Sequence, residues 1–358
     1  MTHRAEIRRL LLIQLVKMGD VLLCTPAIRA ARSAFPDARI DFLTDSVGAD
    51  ALGGNPHLDE VMAYRRGLRH EWRTLREVRQ RAYDAVADFH SVPRTARVVL
   101  ASAAPRRVGV RGRGPRNLAY TELLPKVRES LYIPRHKLRV LGPLGVDTGP
   151  AVDLSLEIVV GCAEREFARR LWSRHGLDSG ERVVAISPVA HEPLKQWGAD
   201  HWASVGDGLA AKGARVLITS GPGEQEQAAA VAERMRAPAV WEYGRTTIRE
   251  LAALYRQCAL WAGNDGGPKH VAVAAGTPTL TVIRYPLGPI WTDDAAAVPH
   301  RYVQQRPDGM AEGARMTAEL EAISLQAVQP AEVLDAALSM LRDLQAGQRP
   351  QPAPHQHA

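Results

Sequence analysis

The feature that most restricts the fold is a rhythm. Short aliphatic runs alternate with helix-period segments, and the alternation occurs twice. "RRLLLIQLV" (8–16) reads as a buried strand, "DVLLCTPAIRAARSAF" (20–35) as a helix, and "RIDFLT" (39–44) and "YDAVADFH" (83–90) as further strands. After a basic, less regular middle the pattern restarts at about residue 182, where "RVVAIS", "ARVLITS", "AVWEY", "ALWAGN" and "PTLTVI" read as strands. Helices such as "ADHWASVGDGLAAKG" and "TTIRELAALYRQC" separate them, the latter opened by a capping box of Thr247 and Glu250. Such alternation predicts an α/β class with parallel sheets and right-handed crossovers, here in two domains. A length of 358 residues suits two domains. The boundary is expected within 145–180, where "LGVDTGPAVD" is rich in turn residues. "PAEVLDAALSMLRDL" (330–344) reads as an amphipathic last helix. The sequence shows no internal repeat.

Charge and cysteine content narrow the functional classes. Residues 1–150 hold 26 Lys/Arg against 15 Asp/Glu, net +11, and the remainder 20 against 24, net −4. The excess lies in "RRGLRHEWRTLREVRQR" (65–81) and "PRRVGVRGRGPR" (105–116). In the first, Arg66, Arg69, Arg73 and Arg76 recur at helical spacing beside Leu68, Trp72 and Leu75. One reading is a solvated face; the other is a surface that meets anionic headgroups or a phosphorylated substrate. Nucleic acid ranks behind both, since aromatics are 5% and no binding motif is visible. Cys24, Cys162 and Cys258 are far apart, with no CxxC, which argues against disulfides or zinc and fits a reducing cytosol. The apolar run after Arg8 and Arg9 is too short for a signal peptide core or a membrane span, and Lys17 and Asp20 end it.

In open parallel sheets, ligands bind beyond the carboxyl ends of strands, and the four chemical motifs all fall in strand-to-helix loops. "KMGD" (17–20) follows the first strand; Gly19 is its only glycine, so the dinucleotide fingerprint is missing. Asp20 can be a helix N-cap or a general base, or both. Thr25-Pro26 offers a competing helix start, and Lys17 could pair with an anion. In "SPVAHEPLKQWG" (187–198) Lys195 is placed to reach phosphate, Trp197 to anchor the next turn, and His191 is incidental. In "SGPGEQEQ" (220–227) Glu224 can accept from ribose hydroxyls or simply complement a helix dipole. "GNDGGPKHVAVAAGTP" (263–278) is the most specific. Gly266 and Gly267 let backbone N–H groups approach a diphosphate at a helix N-terminus. Lys269 and His270 add charge or donors, and Asp265 can fix a sugar hydroxyl.

With these loops in order, the chain resembles glycosyltransferase family 9, the ADP-heptose:lipopolysaccharide heptosyltransferases, from about residue 9 to 344. The likeness is strongest at "KMGDVLLCTPAIRAARSAFPDARIDFLT", "LKQWGADHWASVGDGL", "GPGEQE" and "GNDGGPKHVAVAAGTP". It implies a GT-B fold of two Rossmann-like domains facing a central cleft. Residues 1–160 would bind the acceptor and 161–325 the nucleotide sugar. A helix at 326–344 could pack back on the N-terminal domain, with a disordered tail at 345–358. It also implies inverting transfer of heptose or a related sugar from ADP-heptose, with no metal or cofactor, onto an anionic glycan or glycolipid such as a lipopolysaccharide inner core. Asp20 matches the catalytic base, Lys195 the lysine on the donor diphosphate, and Glu224 the carboxylate near the ribose. Asp265, Gly266, Gly267 and His270 match the donor loop, to which Lys269 is added. Lys17, Gly19, Arg66, Arg69, Arg111 and Arg113 are assigned to the acceptor. The expected location is cytoplasmic, with peripheral contact at the inner membrane. The sequence departs from the family at Gly266 (usually Ser or Thr), Gly198 (usually Pro), Arg284-Tyr285 (usually a small Gly-containing turn) and Lys269 (usually apolar). Rival readings keep the fold with another nucleotide sugar for another glycan, a natural product or a protein, or make the chain a non-catalytic binder.

Overall fold

The computed structural model describes residues 6–127, 131–177, 182–243, 246–310 and 316–347. It divides into two compact units, Met1–Val159 and Val160–Ala358. The first holds strands β1 (Arg9–Ile13), β2 (Arg39–Thr44), β3 (Glu60–Ala63), β4 (Ala85–Asp88), β5 (Arg106–Val110) and β6 (Glu122–Leu124). They form one parallel sheet in the order β3-β2-β1-β4-β5-β6. The second holds β7 (Arg182–Ser187), β8 (Ala214–Ser220), β9 (Val240–Tyr243), β10 (Leu260–Asn264), β11 (Thr279–Val282) and β12 (His300–Val303). Their order, β12-β11-β10-β7-β8-β9, is also parallel. Both orders are the doubly wound 3-2-1-4-5-6 arrangement. The chain therefore repeats a topology without repeating a sequence.

Helices cover both faces of such a sheet, so its central strands must be apolar on both sides. β1 illustrates this. Leu10 and Leu12 join one core with Phe42, Val21, Ile28 and Leu138, whereas Leu11 and Ile13 join another with Leu43, Val78, Val86 and Val99. In the second unit Trp197, Trp202, Leu209 and Ile218 share a core with Val333, Ala337, Met340 and Leu341 of the helix Pro330–Gln345. The apolar face of this last helix thus completes the second unit's own core. Of the expected disordered tail, Gln345 ends this helix, and residues 348–358 lie outside the described residues.

A correction concerns the first crossover, where the sequence predicts one helix from Asp20 to Phe35. Two helices form, Met18–Leu22 and Thr25–Ala34. Thr25 is the first residue of the second helix and not its cap; its hydroxyl donates to the Leu22 carbonyl at 2.7 Å and accepts the Glu157 N–H at 3.1 Å.

Candidate active site

In a doubly wound sheet the ligand crevice opens where the strand order reverses. Here these points lie between β1 and β4 in the first unit and between β7 and β10 in the second. The loops after β1, β7 and β10 carry Asp20, Lys195 and Asp265 respectively.

The loop after β1 is bent by its backbone. Val16 and Lys17 both have φ of 63°, a left-handed conformation that costs a non-glycine residue roughly 1–3 kcal/mol and is extreme for a β-branched one. The double bend starts the one-turn helix Met18–Leu22, with Gly19 buried and Lys17 exposed at its N-cap position. Asp20 is therefore inside the first turn and is not the N-cap that its sequence position suggested; its side chain remains partly exposed. The neighbouring Cys24 thiol donates to the Asp20 carbonyl at 3.2 Å. Burial pushes that thiol up to about 12, so it is no nucleophile at neutral pH.

Sequence reasoning missed what stands across the switch point. At the end of β4, the buried Asp88 carboxylate receives the N–H groups of His90 and Ser91 in the following loop, each at 2.9 Å, and the Tyr120 hydroxyl at 2.7 Å. Lys137 ties this loop to the one after β1, donating to Gln14 Oε1 at 2.8 Å and to the Phe89 carbonyl at 3.2 Å. His90 is held below the ordinary imidazole range by burial first; the charges of Asp88, Lys137 and Asp20 all reach it. The charged lysine and the histidine carry no local spacing signal that would have joined them to Asp20.

The basic residues assigned to the acceptor all lie beyond the carboxyl ends of first-sheet strands, but they are not gathered in one place. Arg66 and Arg69 follow β3, and Arg111 and Arg113 follow β5. Each pair sits two strands from β1, on opposite sides, which is about 10 Å at ordinary strand spacing. All four are exposed. On the helix Leu68–Gln80, Leu68 is 80% and Trp72 72% exposed, while Thr74 and Val78 make its buried face. The apolar stripe read from the sequence thus points largely outward.

The second unit's switch point is built on Asn264, the last residue of β10. Its amide donates to the Pro188 carbonyl at 2.5 Å and accepts the Trp197 N–H and the Trp202 indole N–H, each at 3.3 Å. Trp197 is fully buried, stacks edge-on against Trp202 with ring centroids 4.9 Å apart, and donates its own indole N–H to the Val328 carbonyl at 3.0 Å. Together these bonds fix the lysine loop beside the loop after β10. Lys195 Nζ then lies 3.4 Å from Asp265 Oδ2, and Lys269 Nζ lies 3.2 Å from Oδ1.

Burial redistributes the expected roles. Asp265 is 4% exposed. Desolvation alone would raise its pKa, but the Lys269 and Lys195 charges outweigh it and hold the carboxyl at about 2. It is first a counter-ion, with little surface left for a sugar hydroxyl. Lys269, expected at the donor, has no exposed surface and donates also to Thr292 Oγ1 at 3.2 Å. His270 is buried, and burial followed by the Lys269 charge lowers it to about 3; it is neutral at physiological pH and adds no positive charge. Its Nδ1 has no hydrogen-bond partner among the described residues. Gly266 is extended, and a Cβ there would meet nothing nearer than 3.8 Å, so this backbone does not require glycine. Gly267 begins the helix Gly267–Ala274. Glu224, one strand across, folds back to accept the Gly221 N–H at 3.0 Å. Trp291, absent from the sequence-based site, lies 5.9 Å from Lys195 Nζ at its ring centroid and 6.0 Å from the His270 ring.

Comparison with known proteins agrees with this layout. Lipopolysaccharide heptosyltransferase 3 of Escherichia coli K12 is 27% identical over 279 residues, covering 74% of this chain and 79% of that protein. A family 9 glycosyl transferase from Veillonella parvula superposes with a TM-score of 0.79 at 23% identity, covering 94% of this chain and 97% of the other. The E. coli ADP-heptose lps heptosyltransferase II gives 0.75 at 19% identity, covering 94% and 99%. These likenesses establish the GT-B fold. The family model described as glycosyltransferase family 9 (heptosyltransferase) matches residues 71–286, a span that runs from the arginine-rich helix through the Lys195 and Asp265 loops. With that match over more than half its length, this chain belongs to glycosyltransferase family 9.

Proposed function

We propose that this glycosyltransferase moves a heptose from ADP-heptose to a hydroxyl of an anionic lipopolysaccharide-core acceptor, by a single inverting displacement without a metal. The observation that carries the reading is the partly exposed Lys195 ammonium at the second switch point, two strands' loops meeting beside the N-terminus of the helix Gly267–Ala274. A cation and a helix N-terminus together suit a diphosphate leaving group. The relatives named for lipopolysaccharide heptosyl transfer and for ADP-heptose support the choice of sugar and nucleotide.

Asp20 removes the acceptor hydroxyl's proton as that oxygen attacks the anomeric carbon, opposite the departing diphosphate. Lys195 and the helix N-terminus stabilise the charge that grows on the diphosphate, the task a metal would otherwise perform, so transfer should persist in EDTA. Lys17, Gly19, Arg111 and Arg113 serve the acceptor's anionic groups. Arg66, just before the helix Leu68–Gln80, and Leu68, Arg69 and Trp72 in its first turns form a basic, apolar-tipped surface that meets the anionic membrane surface on which such an acceptor resides. Among the described residues, no helix is long and apolar enough to cross a membrane, so contact of this kind would be peripheral.

The test is a thermal-shift panel of ADP, UDP, GDP and their sugars on wild type and Lys195→Ala. A ligand that binds only the folded state raises the melting temperature. ADP compounds should stabilise wild type most, and the shift should shrink in the variant. A preference for UDP or GDP compounds would replace the named donor, and no shift with any nucleotide would favour a non-catalytic role.

A further inference from the structure

One buried carboxylate faces two ammonium groups in the second unit, and the two lysines differ in their surroundings. Lys269 is wholly enclosed and held on its far side by Thr292 Oγ1 at 3.2 Å. Lys195 comes from a loop, keeps 19% of its side chain exposed, and passes over the Trp291 ring. Asp265 can neutralise one of them. Burial pulls the Lys269 pKa down, and the Asp265 carboxylate at 3.2 Å opposes that pull; with the Lys269 ammonium kept by this contact, the cluster has one positive charge in surplus, and only Lys195 can carry it toward a ligand.

We propose that Lys269 is a positioning residue that makes Lys195 releasable: it keeps Asp265 paired when the Lys195 ammonium turns to a diphosphate. The inference rests on the reading of Lys195 as the diphosphate ligand. Without Lys269, each departure of Lys195 would strand a buried carboxylate with no counter-ion, which costs more than one charged hydrogen bond to a phosphate returns. Lys195 would then remain on Asp265, and the site would be electrically neutral. With Lys269 in place the surplus charge is set before the nucleotide arrives, which is the arrangement that stabilises a leaving anion most effectively. Asp265, just before the helix Gly267–Ala274, and Lys269, in its first turn, are four residues apart, so the geometry of this pair does not depend on the lysine loop.

The experiment measures ADP affinity by calorimetry, below the melting temperature, for the full chain as wild type, Lys195→Ala, Lys269→Met and the double variant Lys269→Met/Asp265→Asn. Lys269→Met should weaken ADP binding by about tenfold, the scale of one charge-assisted hydrogen bond. The double variant should recover to within about threefold of wild type, because removing the carboxylate frees Lys195 again. A purely structural role for Lys269 predicts the opposite, since the second substitution would add damage. Wild-type affinity in Lys269→Met, or no recovery in the double variant, overturns the proposal. If Lys269→Met does not fold, the double variant, which buries no unpaired charge, decides by itself: near wild-type affinity supports the proposal and weak binding overturns it. The two readings fail differently. If wild type binds no ADP, or Lys195→Ala binds it as tightly as wild type, the assignment of Lys195 falls and takes this inference with it. If Lys195→Ala loses ADP while Lys269→Met keeps it, this inference alone is wrong.

Discussion

The two units share a strand order and treat the same place in it differently. At the second unit's switch point, charge is buried, paired and held by core groups: Asn264 bonds to two tryptophans, and Asp265 lies between two lysines. At the first unit's switch point a buried carboxylate, Asp88, is held by hydrogen bonds as well, but Asp20 rides partly exposed on a five-residue helix behind two strained residues, and the arginines beyond the strand ends are exposed and spread along the sheet end. One topology thus supports two designs. Under the proposed function, a compact diphosphate meets the rigid, desolvated charge cluster of the second unit, and a larger anionic glycan meets the dispersed cations of the first. The difference follows from which residues stand beyond the strand ends and not from the fold.

The comparison can be broken at several points. The largest effect should come from Asp20→Asn, which is expected to lower the transfer rate about a thousandfold while leaving the ADP-induced thermal shift unchanged. Loss of both would mean that Asp20 shapes the fold and not the chemistry. Lys195→Ala should cost roughly a hundredfold in kcat/KM, with weaker ADP binding and no change in acceptor binding; a pure acceptor defect would contradict the division of labour. Arg66→Gln with Arg69→Gln should weaken binding to vesicles containing anionic phospholipid about 30-fold and leave soluble-nucleotide binding intact. Equal binding by the variant would make that helix a solvated face.

The smallest effect near neutrality concerns pH. In the folded protein burial holds His270 at about 3 and His300 at about 4, below the ordinary 6.5. The unfolded chain therefore binds more protons below 6.5, so stability is complete above that pH and declines as pH falls toward 3. Each histidine contributes a slope of about 1.4 kcal/mol per pH unit inside its window. Asp265 acts only at more acid pH, its stabilisation being lost between 3.8 and about 2. A melting temperature that stays level from pH 6.5 to 4.5 would show that the second site is not as dry as its geometry indicates.

Much of this was legible in the sequence. The strands announce themselves as aliphatic runs, because a strand buried on both faces has no polar side to alternate with. The Thr247 capping box is present as read, with Thr247 N–H donating to Glu250 Oε2 at 2.8 Å and the Glu250 N–H donating back to Thr247 Oγ1 at 3.2 Å. The break in the first crossover is hidden in the sequence because Asp20 and Thr25 both look like caps, and the decisive cause is the left-handed backbone at Val16 and Lys17, which neither residue type favours. Lys269 reads as a ligand in the sequence because it stands in a glycine-rich loop motif. The available signal is its spacing of four from Asp265 at the start of a helix whose last four residues are apolar, which marks a pair turned inward. Trp291 offered no signal at all, since its place beside Lys195 comes from tertiary packing of a distant helical turn.

The Asn264 anchor has a further consequence for how the protein is made. Trp197 and the amide it relies on are 67 residues apart in the chain, with two strands and their helices between them. During synthesis the lysine loop emerges well before β10 exists to receive it, so its geometry cannot be set by local contacts. Until β10 slots in beside β7, two large indoles lack both their polar partner and much of their cover. The second unit would then be a late product of folding, and a ribosome-bound chain that stops short of Asn264 should be the species most in need of a chaperone.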